Sequence, residues 1–273
     1  MKGGSADKYA GKTVALVLGS GGARGLAHIG VIAELEARGL EINYIAGCSM
    51  GALVGGIYAA GELEAYTEWA RKLERKDVIG LLDLSFGFQG LFKGERVIGA
   101  LKEIVGERDI EDLGLGFTAV ATDLLEQKEI WLNSGPLFDA IRASIAIPTI
   151  FTPWQYRGRV LVDGGLLNPL PIAPALNHAT DLIVVVNASG RRAKGFVTED
   201  KPAVVPGIFD AMAMTMDTMQ NAIARLKLAA HSPDIVIEIP RDLCTFYEFY
   251  RADELIRFGR ERAAETLTEW SGY

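Results

Sequence analysis

The chain has 273 residues, which is enough for one large α/β domain and too few for two. Hydrophobic residues make up 49% of the sequence and charged residues 23%, so a sizeable core can be buried and a disordered chain is excluded. The net charge is -7 and no run of Lys or Arg stands out, which argues against a nucleic-acid-binding protein. The net negative charge predicts that any contact with an anionic membrane is apolar rather than electrostatic.

Residues 1–12 are predicted to form an N-terminal tail, followed by a single domain over residues 13–273. The tail lacks an apolar stretch and is not typical of a signal peptide. The two cysteines, Cys48 and Cys244, form neither a disulfide framework nor a metal-binding spacing, which fits a reducing, cytoplasmic environment. Residues 42–61 carry no charge over a length that could span a bilayer, but their glycines favour a strand, a turn and a buried helix instead.

Strand and helix patterns alternate from residue 13 onward, as in a doubly wound sheet. The predicted strands are 13–18, 44–46, 117–122, 129–132, 159–162, 182–186 and 235–239, with 117–122 and 129–132 forming a hairpin. The predicted helices are 26–38, 50–60, 62–76, 94–105, 136–144, 207–230 and 252–270. These elements predict a three-layer α/β/α fold with a mainly parallel sheet and a site at the carboxyl ends of the strands.

The first motif is the glycine-rich loop Gly19-Ser-Gly-Gly-Ala-Arg-Gly25, between a strand and a helix. Backbone amides in such a loop can bind a phosphate or form an oxyanion hole, and a plain tight turn remains an alternative. The loop is not a Walker A motif, because no Lys-Ser/Thr pair follows its last glycine. It also departs from a dinucleotide fingerprint, because Arg24 occupies the position of the third glycine and the expected acidic residue is missing.

The second motif is Gly47-Cys-Ser-Met-Gly51, which lies between a predicted strand and a predicted helix. The G-x-S-x-G pattern places its serine on a strained turn, with the hydroxyl exposed above the sheet and glycines where the backbone is crowded. Ser49 is therefore a candidate nucleophile, supported by Gly47 and Gly51.

The third motif is Asp163-Gly-Gly165, directly after a predicted strand. Gly164 and Gly165 allow a sharp turn that leaves the Asp163 carboxylate uncrowded, although a plain Asp-Gly turn is the commoner reason for this pattern.

A serine hydrolase usually needs a histidine base, and the chain has three histidines. His28 lies inside the first helix, whereas His178 and His231 follow helices. None occupies the loop near the C-terminus that supplies the histidine of an α/β-hydrolase. A Ser–His–Asp triad is therefore awkward, and a dyad of Ser49 and Asp163 is the simpler alternative.

Together these motifs resemble those of the patatin-like phospholipases, especially the bacterial members and the related lysophospholipase and neuropathy-target-esterase catalytic domains. The resemblance extends from Thr13 to about Pro240. Four motifs occur in order: Ser20-Gly-Gly-Ala-Arg-Gly25, Gly47-Cys-Ser-Met-Gly51, Ala143-Ser-Ile-Ala-Ile-Pro148 with Phe151 and Pro153, and Asp163-Gly-Gly165 with Asn168 and Pro171. Ser20 replaces the family's first loop glycine, and Ala146 stands where a second serine is expected.

The resemblance implies a patatin-like fold and a lipid acyl hydrolase that needs no metal and no cofactor. It implies that Ser49 attacks the ester carbonyl to form an acyl-enzyme and that Asp163 takes the serine proton and later activates water. It further implies that the amides of Gly21 and Gly22 receive the oxyanion, and that Arg24 either locks their loop or meets a lipid phosphate. The implied partners are a lipid or other acyl-ester substrate and a membrane contacted peripherally.

Two further stretches suit a lipid enzyme but allow other interpretations. Residues 81–92 hold several Leu and Phe, which predicts either a lid or a cap on the core. Met212, Met214, Met216 and Met219 predict an adaptable acyl pocket or, more commonly, a core stripe. Cys48, beside the candidate nucleophile, is expected to be a small buried filler.

A lipid acyl hydrolase is the leading hypothesis from the sequence. The alternatives are a Ser–His–Asp carboxylesterase, a catalytically weak regulator that binds lipids or anions and, more distantly, a nucleotide-binding protein.

Overall fold

The central element of the fold is an eight-stranded, mostly parallel sheet. The computed structural model describes residues 8–81, 92–192 and 207–271. The strands are β1 (Thr13–Leu18), β2 (Glu41–Cys48), β3 (Gly116–Asp123), β4 (Lys128–Leu132), β5 (Trp154–Tyr156), β6 (Arg159–Asp163), β7 (Leu182–Gly190) and β8 (Ile235–Pro240). Their order is β5-β6-β3-β2-β1-β7-β8, and β4 also pairs with β3. The expectation of an α/β fold with a mainly parallel sheet is confirmed.

Helices cover the sheet and form the outer layers. They are α1 (Ala27–Ala37), α2 (Met50–Ala59), α3 (Leu63–Arg71), α4 (Arg75–Gly80), α5 (Glu95–Val105), α6 (Leu137–Ser144), α7 (Ile172–Ala175), α8 (Ile208–His231) and α9 (Ala252–Glu269). Continuous apolar runs such as β1 are buried because helices pack on both faces of a parallel sheet. Among the described residues no helix has the length and apolarity needed to cross a membrane.

Two predicted boundaries differ from the structure for local reasons. The helix predicted over 62–76 is two helices, because Glu74 begins α4 with a capping box in which its amide donates to the Asp77 carboxylate. The tail predicted over 1–12 includes Tyr9, whose side chain is fully buried and donates a hydrogen bond to the carbonyl of Leu267. Packed structure therefore begins before Thr13, whereas the assignment of the rest to a single domain stays a prediction.

At one edge of the sheet, neighbouring strands alternate in direction. β1 pairs in parallel with β2 and β7, and β2 pairs in parallel with β3. β6, in contrast, is antiparallel to β3, and β5 is antiparallel to β6. The short strand β5 was not predicted from the sequence. The antiparallel direction of β6 determines how its last residue, Asp163, reaches the rest of the site.

Helices α1 and α9 cross in direct backbone contact through two glycines. A Cβ on Gly30 would lie 1.9 Å from the carbonyl oxygen of Ile256, and a Cβ on Gly259 would lie 2.0 Å from that of Ala27. A side chain larger than hydrogen at either position would push the helices apart, so these glycines are required by packing rather than by backbone conformation.

We expect Gly30→Ala to lower the free energy of unfolding by at least about 2 kcal/mol, because one methyl group cannot fit at the crossing. Gly99→Ala is the matched control, since a Cβ on this glycine of α5 meets no atom within 4 Å. It should raise the free energy of unfolding by roughly 0.5–1 kcal/mol through helix propensity. Urea denaturation followed by circular dichroism measures both, and equal effects would contradict the proposed close crossing.

Candidate active site

Ser49 lies on the tight turn between β2 and α2, as the sequence predicts, but it is buried rather than exposed. Its backbone has φ 54 and ψ -123, a strained combination for a residue with a side chain. The flanking glycines are required by close contacts: a Cβ on Gly47 would lie 2.5 Å from the Cα of Ala52, and one on Gly51 would lie 2.0 Å from the carbonyl oxygen of Leu18. The turn therefore presents Ser49 at the amino end of α2, where the helix dipole favours negative charge.

A second serine holds the strained turn in place. The Ser144 hydroxyl accepts a hydrogen bond from the Ser49 amide at 2.9 Å and donates one to the carbonyl of Val120 at 2.6 Å. Ser144 is fully buried, so the bridge between β3 and the turn is shielded from water. The sequence motif over 143–148 contains this residue but does not indicate its role. Ser144 is thus a positioning residue that sequence reasoning missed.

Ser49 and Asp163 approach each other from opposite directions along one side of β3. In register, Cys48 at the end of β2 pairs with Val120, and Asp163 at the end of β6 pairs with the next residue, Ala121. β4 occupies the other side of β3 from Ala119 to Asp123, so β2 and β6 share the remaining side. The carboxyl ends of these two strands therefore meet head to head. The sequence predicted both strand ends but not the direction of β6.

The Asp163 carboxyl group is buried and incompletely hydrogen-bonded. Its Oδ1 accepts the Gly165 amide at 2.7 Å, whereas Oδ2 has no hydrogen-bond partner within the described residues. Burial raises the pKa of Asp163 to about 6, and this rise is opposed by interactions with the Ser49 hydroxyl and the Gly165 amide. A carboxyl group with this pKa is ionised at neutral pH yet basic enough to accept a proton from a neighbouring alcohol.

The Gly164 backbone passes directly against β3. A Cβ there would lie 2.2 Å from the carbonyl oxygen of Val120, and a Cβ on Gly165 would lie 2.9 Å from Asp163 Oδ1. The two glycines thus allow the chain to turn closely around the carboxylate, in agreement with the role expected from the sequence.

The glycine-rich loop places two free amides beside Ser49. The Ser20 amide donates to the carbonyl of Pro169 and the Ala23 amide to that of Phe246. The amides of Gly21 and Gly22 between them donate no hydrogen bond within the described chain. Gly22 has φ +54, and a Cβ there would lie 2.4 Å from the Phe246 ring. The loop is therefore built to leave two donors available, the requirement for an oxyanion hole.

Arg24 holds the glycine-rich loop in place through hydrogen bonds. Its Nε donates to the Gly21 carbonyl at 3.1 Å, its Nη1 to the Arg241 carbonyl at 2.7 Å, and its Nη2 to Ser189 Oγ and to the Asp217 carboxylate at 3.3 and 3.1 Å. The side chain is buried by these contacts. Of the two roles expected for Arg24, the geometry supports locking the loop.

Two cavities meet at Ser49. The smaller, about 130 Å³, has both apolar residues such as Ile147 and Phe246 and the polar residues Arg24, Asp163 and Gln220 in its lining. The larger, about 530 Å³, is predominantly apolar and has Gly22, Leu53, Trp69, Leu101 and Phe151 among its lining residues. Ser49 lines both, so a reactive group at Ser49 shares the smaller cavity with Asp163 and adjoins the larger apolar cavity.

None of the three histidines lines either cavity. His28 is fully buried, with its Nε2 2.9 Å from the carbonyl oxygen of Gly19, and burial lowers its pKa to about 4. The His178 ring stacks on Tyr44 with centroids 3.5 Å apart, and His231 is the last residue of α8. The geometry thus supplies Asp163 rather than a histidine beside Ser49.

The other candidates from the sequence have mixed outcomes. Most of the predicted lid or cap falls at 82–91, outside the described residues. The core interpretation is wrong for Met212, Met214 and Met219, which are 44%, 61% and 52% exposed, whereas Met216 lines the smaller cavity.

Cys48 is fully buried, and desolvation and the Asp163 charge raise its thiol pKa well above the ordinary value. No cluster of metal-binding side chains occurs in the part of the chain that the structure describes.

Comparison with known proteins identifies the class to which this site belongs. The family model Patatin-like phospholipase matches residues 16–176, which include Ser49 and Asp163. The chain belongs to the patatin-like phospholipase family.

The chain is also similar to individual known proteins. An uncharacterized NTE family protein of Mycobacterium tuberculosis is 38% identical over 93% of this chain and 91% of its own length. Patatin-like phospholipase domain-containing protein 6 of Mus musculus is 30% identical, over 66% of this chain and 14% of its own. The crystal structure of VipD from Legionella pneumophila aligns with a TM-score of 0.48 and 14% identity, over 95% of this chain and 67% of that one.

The raised pKa of Asp163 has a consequence for stability that does not depend on any activity. Because the folded-state pKa lies above that of an unfolded chain, the ionised carboxylate costs stability above about pH 6, and this cost disappears as protonation becomes favourable at lower pH. We expect Asp163→Asn to raise the free energy of unfolding at pH 8 by about 1–3 kcal/mol, and by less at pH 5.

Urea denaturation at the two pH values measures the difference. The exposed Asp112, changed to Asn, is the control for general effects of removing one negative charge. A stability gain at Asp163 that is the same at pH 5 and pH 8 would show that burial of the charged form is not its source.

Proposed function

We propose that this protein is a serine acyl-ester hydrolase acting on lipid esters, of the phospholipase A, lysophospholipase or carboxylesterase type. The observation that carries the proposal is the meeting of β2 and β6, which brings Ser49 beside Asp163 at the junction of two cavities. Family membership supports lipid acyl hydrolysis as the class of reaction.

In the first step, Ser49 Oγ attacks the ester carbonyl carbon while its proton passes to the Asp163 carboxylate. Asp163 suits this role because its carboxyl group is buried, interacts with the Ser49 hydroxyl, and has an oxygen, Oδ2, without a hydrogen-bond partner among the described residues. Collapse of the tetrahedral intermediate expels the alcohol, which takes the proton from Asp163, and leaves an acyl-enzyme. Water then attacks the acyl group, gives a proton to Asp163 and releases the acid as Ser49 regains its proton.

The carbonyl oxygen becomes negatively charged in both steps and needs donors at a fixed position. Gly21 lines the smaller cavity, Gly22 lines the larger one and Ser49 lines both, which supports the amides of the two glycines as donors to an ester carbonyl held at Ser49. Arg24 fixes the Gly21 carbonyl and thereby the orientation of the loop. Each donor of this kind typically contributes about 3–4 kcal/mol to transition-state stabilisation.

The apolar cavity supports a substrate with a hydrocarbon chain. Its lining is dominated by Leu, Ile, Val and aromatic side chains from α2, α3, α5 and the segment after β8. Burial of methylene groups stabilises a bound acyl chain by roughly 0.8 kcal/mol each. Such a cavity next to the nucleophile favours long acyl esters over short ones.

Covalent labelling is the direct test of the nucleophile. We expect a fluorophosphonate probe to label the wild type and not Ser49→Ala, which should also lose about 10⁴-fold or more in turnover of p-nitrophenyl butyrate and lysophosphatidylcholine. Cys48→Ala is the matched control, because Cys48 is the other nucleophilic side chain beside Asp163. It should keep its labelling, whereas Asp163→Asn should not turn over substrate.

Each alternative has its own signature in these measurements. Activity lost on changing His178 or His231 to Ala would indicate a Ser–His–Asp triad. Lipid binding without labelling or turnover in the wild type would indicate a regulator that only binds lipid.

The pH dependence of the reaction tests the base. Because Asp163 must be ionised and burial raises its pKa to about 6, kcat/KM should fall about tenfold per unit below pH 6. A base with the ordinary aspartate pKa would keep full activity down to about pH 4. Initial rates of ester hydrolysis between pH 4.5 and 8.5 measure the profile, with irreversible inactivation checked by return to pH 7.5. An acid limb near pH 4 would contradict the proposed role of the buried carboxylate.

A further inference from the structure

Helix α8 exposes apolar side chains on the face that points away from the sheet. Met212, Met219 and Leu226 are spaced by seven residues, so they lie within about 20° of one another around the helix axis at each step. They are 44%, 52% and 70% exposed. On the opposite side Asn221 and Ala224 are buried, whereas Met214, nearer the start of the helix, is 61% exposed. We call these three residues the apolar face of α8. Exposed apolar faces of this kind commonly mark interaction surfaces.

The same helix forms one wall of the candidate active site. Met216, Asp217 and Gln220 line the smaller cavity at Ser49. Asp217 also pairs with Arg24, the residue that locks the glycine-rich loop. Whatever covers the apolar face of α8 therefore contacts the same helix that forms this wall of the site.

A cleft on another side of α8 is lined by four arginines. It has a volume of about 370 Å³, and its cationic lining consists of Arg191, Arg192, Arg225 and Arg241, with Glu238 as its one carboxylate among the described lining residues. None of the four arginines forms an ion pair with a described carboxylate. We call this the arginine cleft. Clustered guanidinium groups in a protein of net charge -7 indicate a ligand with phosphate chemistry.

The arginine cleft and the smaller cavity share a wall. Arg24 donates from one nitrogen, Nη2, to both Ser189 and Asp217; Ser189 lines the cleft, and Asp217 lines the cavity. Asn221, one turn after Asp217, also lines the cleft. The candidate active site, the apolar face and the cleft are therefore all arranged around α8.

We propose that α8 is the membrane-docking element of this protein, with its apolar face inserted among acyl chains and its arginine cleft holding the phosphate groups of anionic phospholipids. A phospholipid surface supplies both hydrocarbon and phosphate, the two chemistries that these features require. A second copy of this chain docked symmetrically would instead bring a second set of four arginines to the same place. The overall charge predicted purely apolar contact, whereas the cleft adds a local positive region.

The consequence for catalysis rests on the proposed function, but docking itself does not. If the protein hydrolyses lipid esters, a membrane bound to α8 delivers substrate beside Ser49 without the lipid leaving the surface. Vesicle binding can be measured with no turnover, so the two proposals can fail separately.

Sedimentation with sucrose-loaded vesicles tests the proposal. Wild type should bind vesicles of phosphatidylcholine with 30% phosphatidylglycerol more tightly than vesicles of phosphatidylcholine alone. Changing Arg192 and Arg225 to Gln should weaken binding to the anionic vesicles by about fivefold for each arginine and remove most of the preference. Changing Met219 and Leu226 to Gln should weaken binding to both kinds of vesicle by at least about tenfold.

Matched controls lie elsewhere on the surface. Leu125→Gln removes a side chain that is 72% exposed on the turn after β3, and Arg257→Gln removes an exposed guanidinium on α9. Both should bind vesicles as the wild type does. All variants should keep the thermal midpoint of the wild type and its activity on a soluble short-chain ester.

Three results would overturn the proposal. The first is equal vesicle binding by wild type and both double variants. The second is a loss of vesicle binding in the Leu125→Gln and Arg257→Gln controls as large as that in the double variants. The third is a wild type that is dimeric by light scattering, with dimers abolished by the changes at Met219 and Leu226 and with vesicle binding unaffected.

Discussion

The structure depends on a head-to-head meeting of two strands beside β3. β2 ends at Cys48 opposite Val120, and β6 ends at Asp163 opposite Ala121. Adjacent residues of β3 therefore fix the positions of Asp163 and of Ser49, which follows Cys48. Backbone hydrogen bonds of a sheet allow little freedom in register, because a slip by one residue turns every side chain to the other face. The separation of Ser49 and Asp163 is therefore set by the sheet itself, and the loops have only to leave room.

The glycines allow the backbone segments around Ser49 and Asp163 to approach closely, and Ser144 holds the turn at Ser49 in place. Gly47, Gly51 and Gly164 each lie where a Cβ would collide with backbone. Ser144 then connects the Ser49 amide to the carbonyl of Val120, the residue opposite the end of β2. Strain at Ser49 and burial of the Asp163 charge both cost stability, and the large apolar core around β1, α1 and α2 offsets that cost.

The sequence predicted the features that have a local cause. Apolar runs gave the strands, and the glycine motifs gave the turns at Ser49 and Asp163, because crowding of the backbone admits only glycine there. It did not predict the direction of β6, since a five-residue strand has the same pattern in parallel and antiparallel sheets. The role of Ser144 was also missed, because its two partners are distant in sequence and meet only in the folded sheet.

The exposed methionines of α8 illustrate a second limit of prediction from the sequence. A helix with apolar residues on several sides has a pattern compatible with a core position, a pocket wall or an exposed face. Only the packed structure shows that Asn221 and Ala224 face the sheet while Met212 and Met219 face outward.

The strand that carries Asp163 is also among the least secured of the sheet. β6 is joined to β3 by three register pairs, from Asp163 to Leu161, and its other neighbour is the three-residue strand β5. The ion pair between Arg159 and the buried Asp123, at 2.8 Å, adds one further attachment. Because short edge hairpins open at lower free energy than central strands, the β5–β6 unit can separate while the parallel sheet remains intact. Heating would then separate Asp163 from Ser49 by local opening at temperatures below those that melt the core, and the two residues would come together again on cooling without refolding of the whole chain.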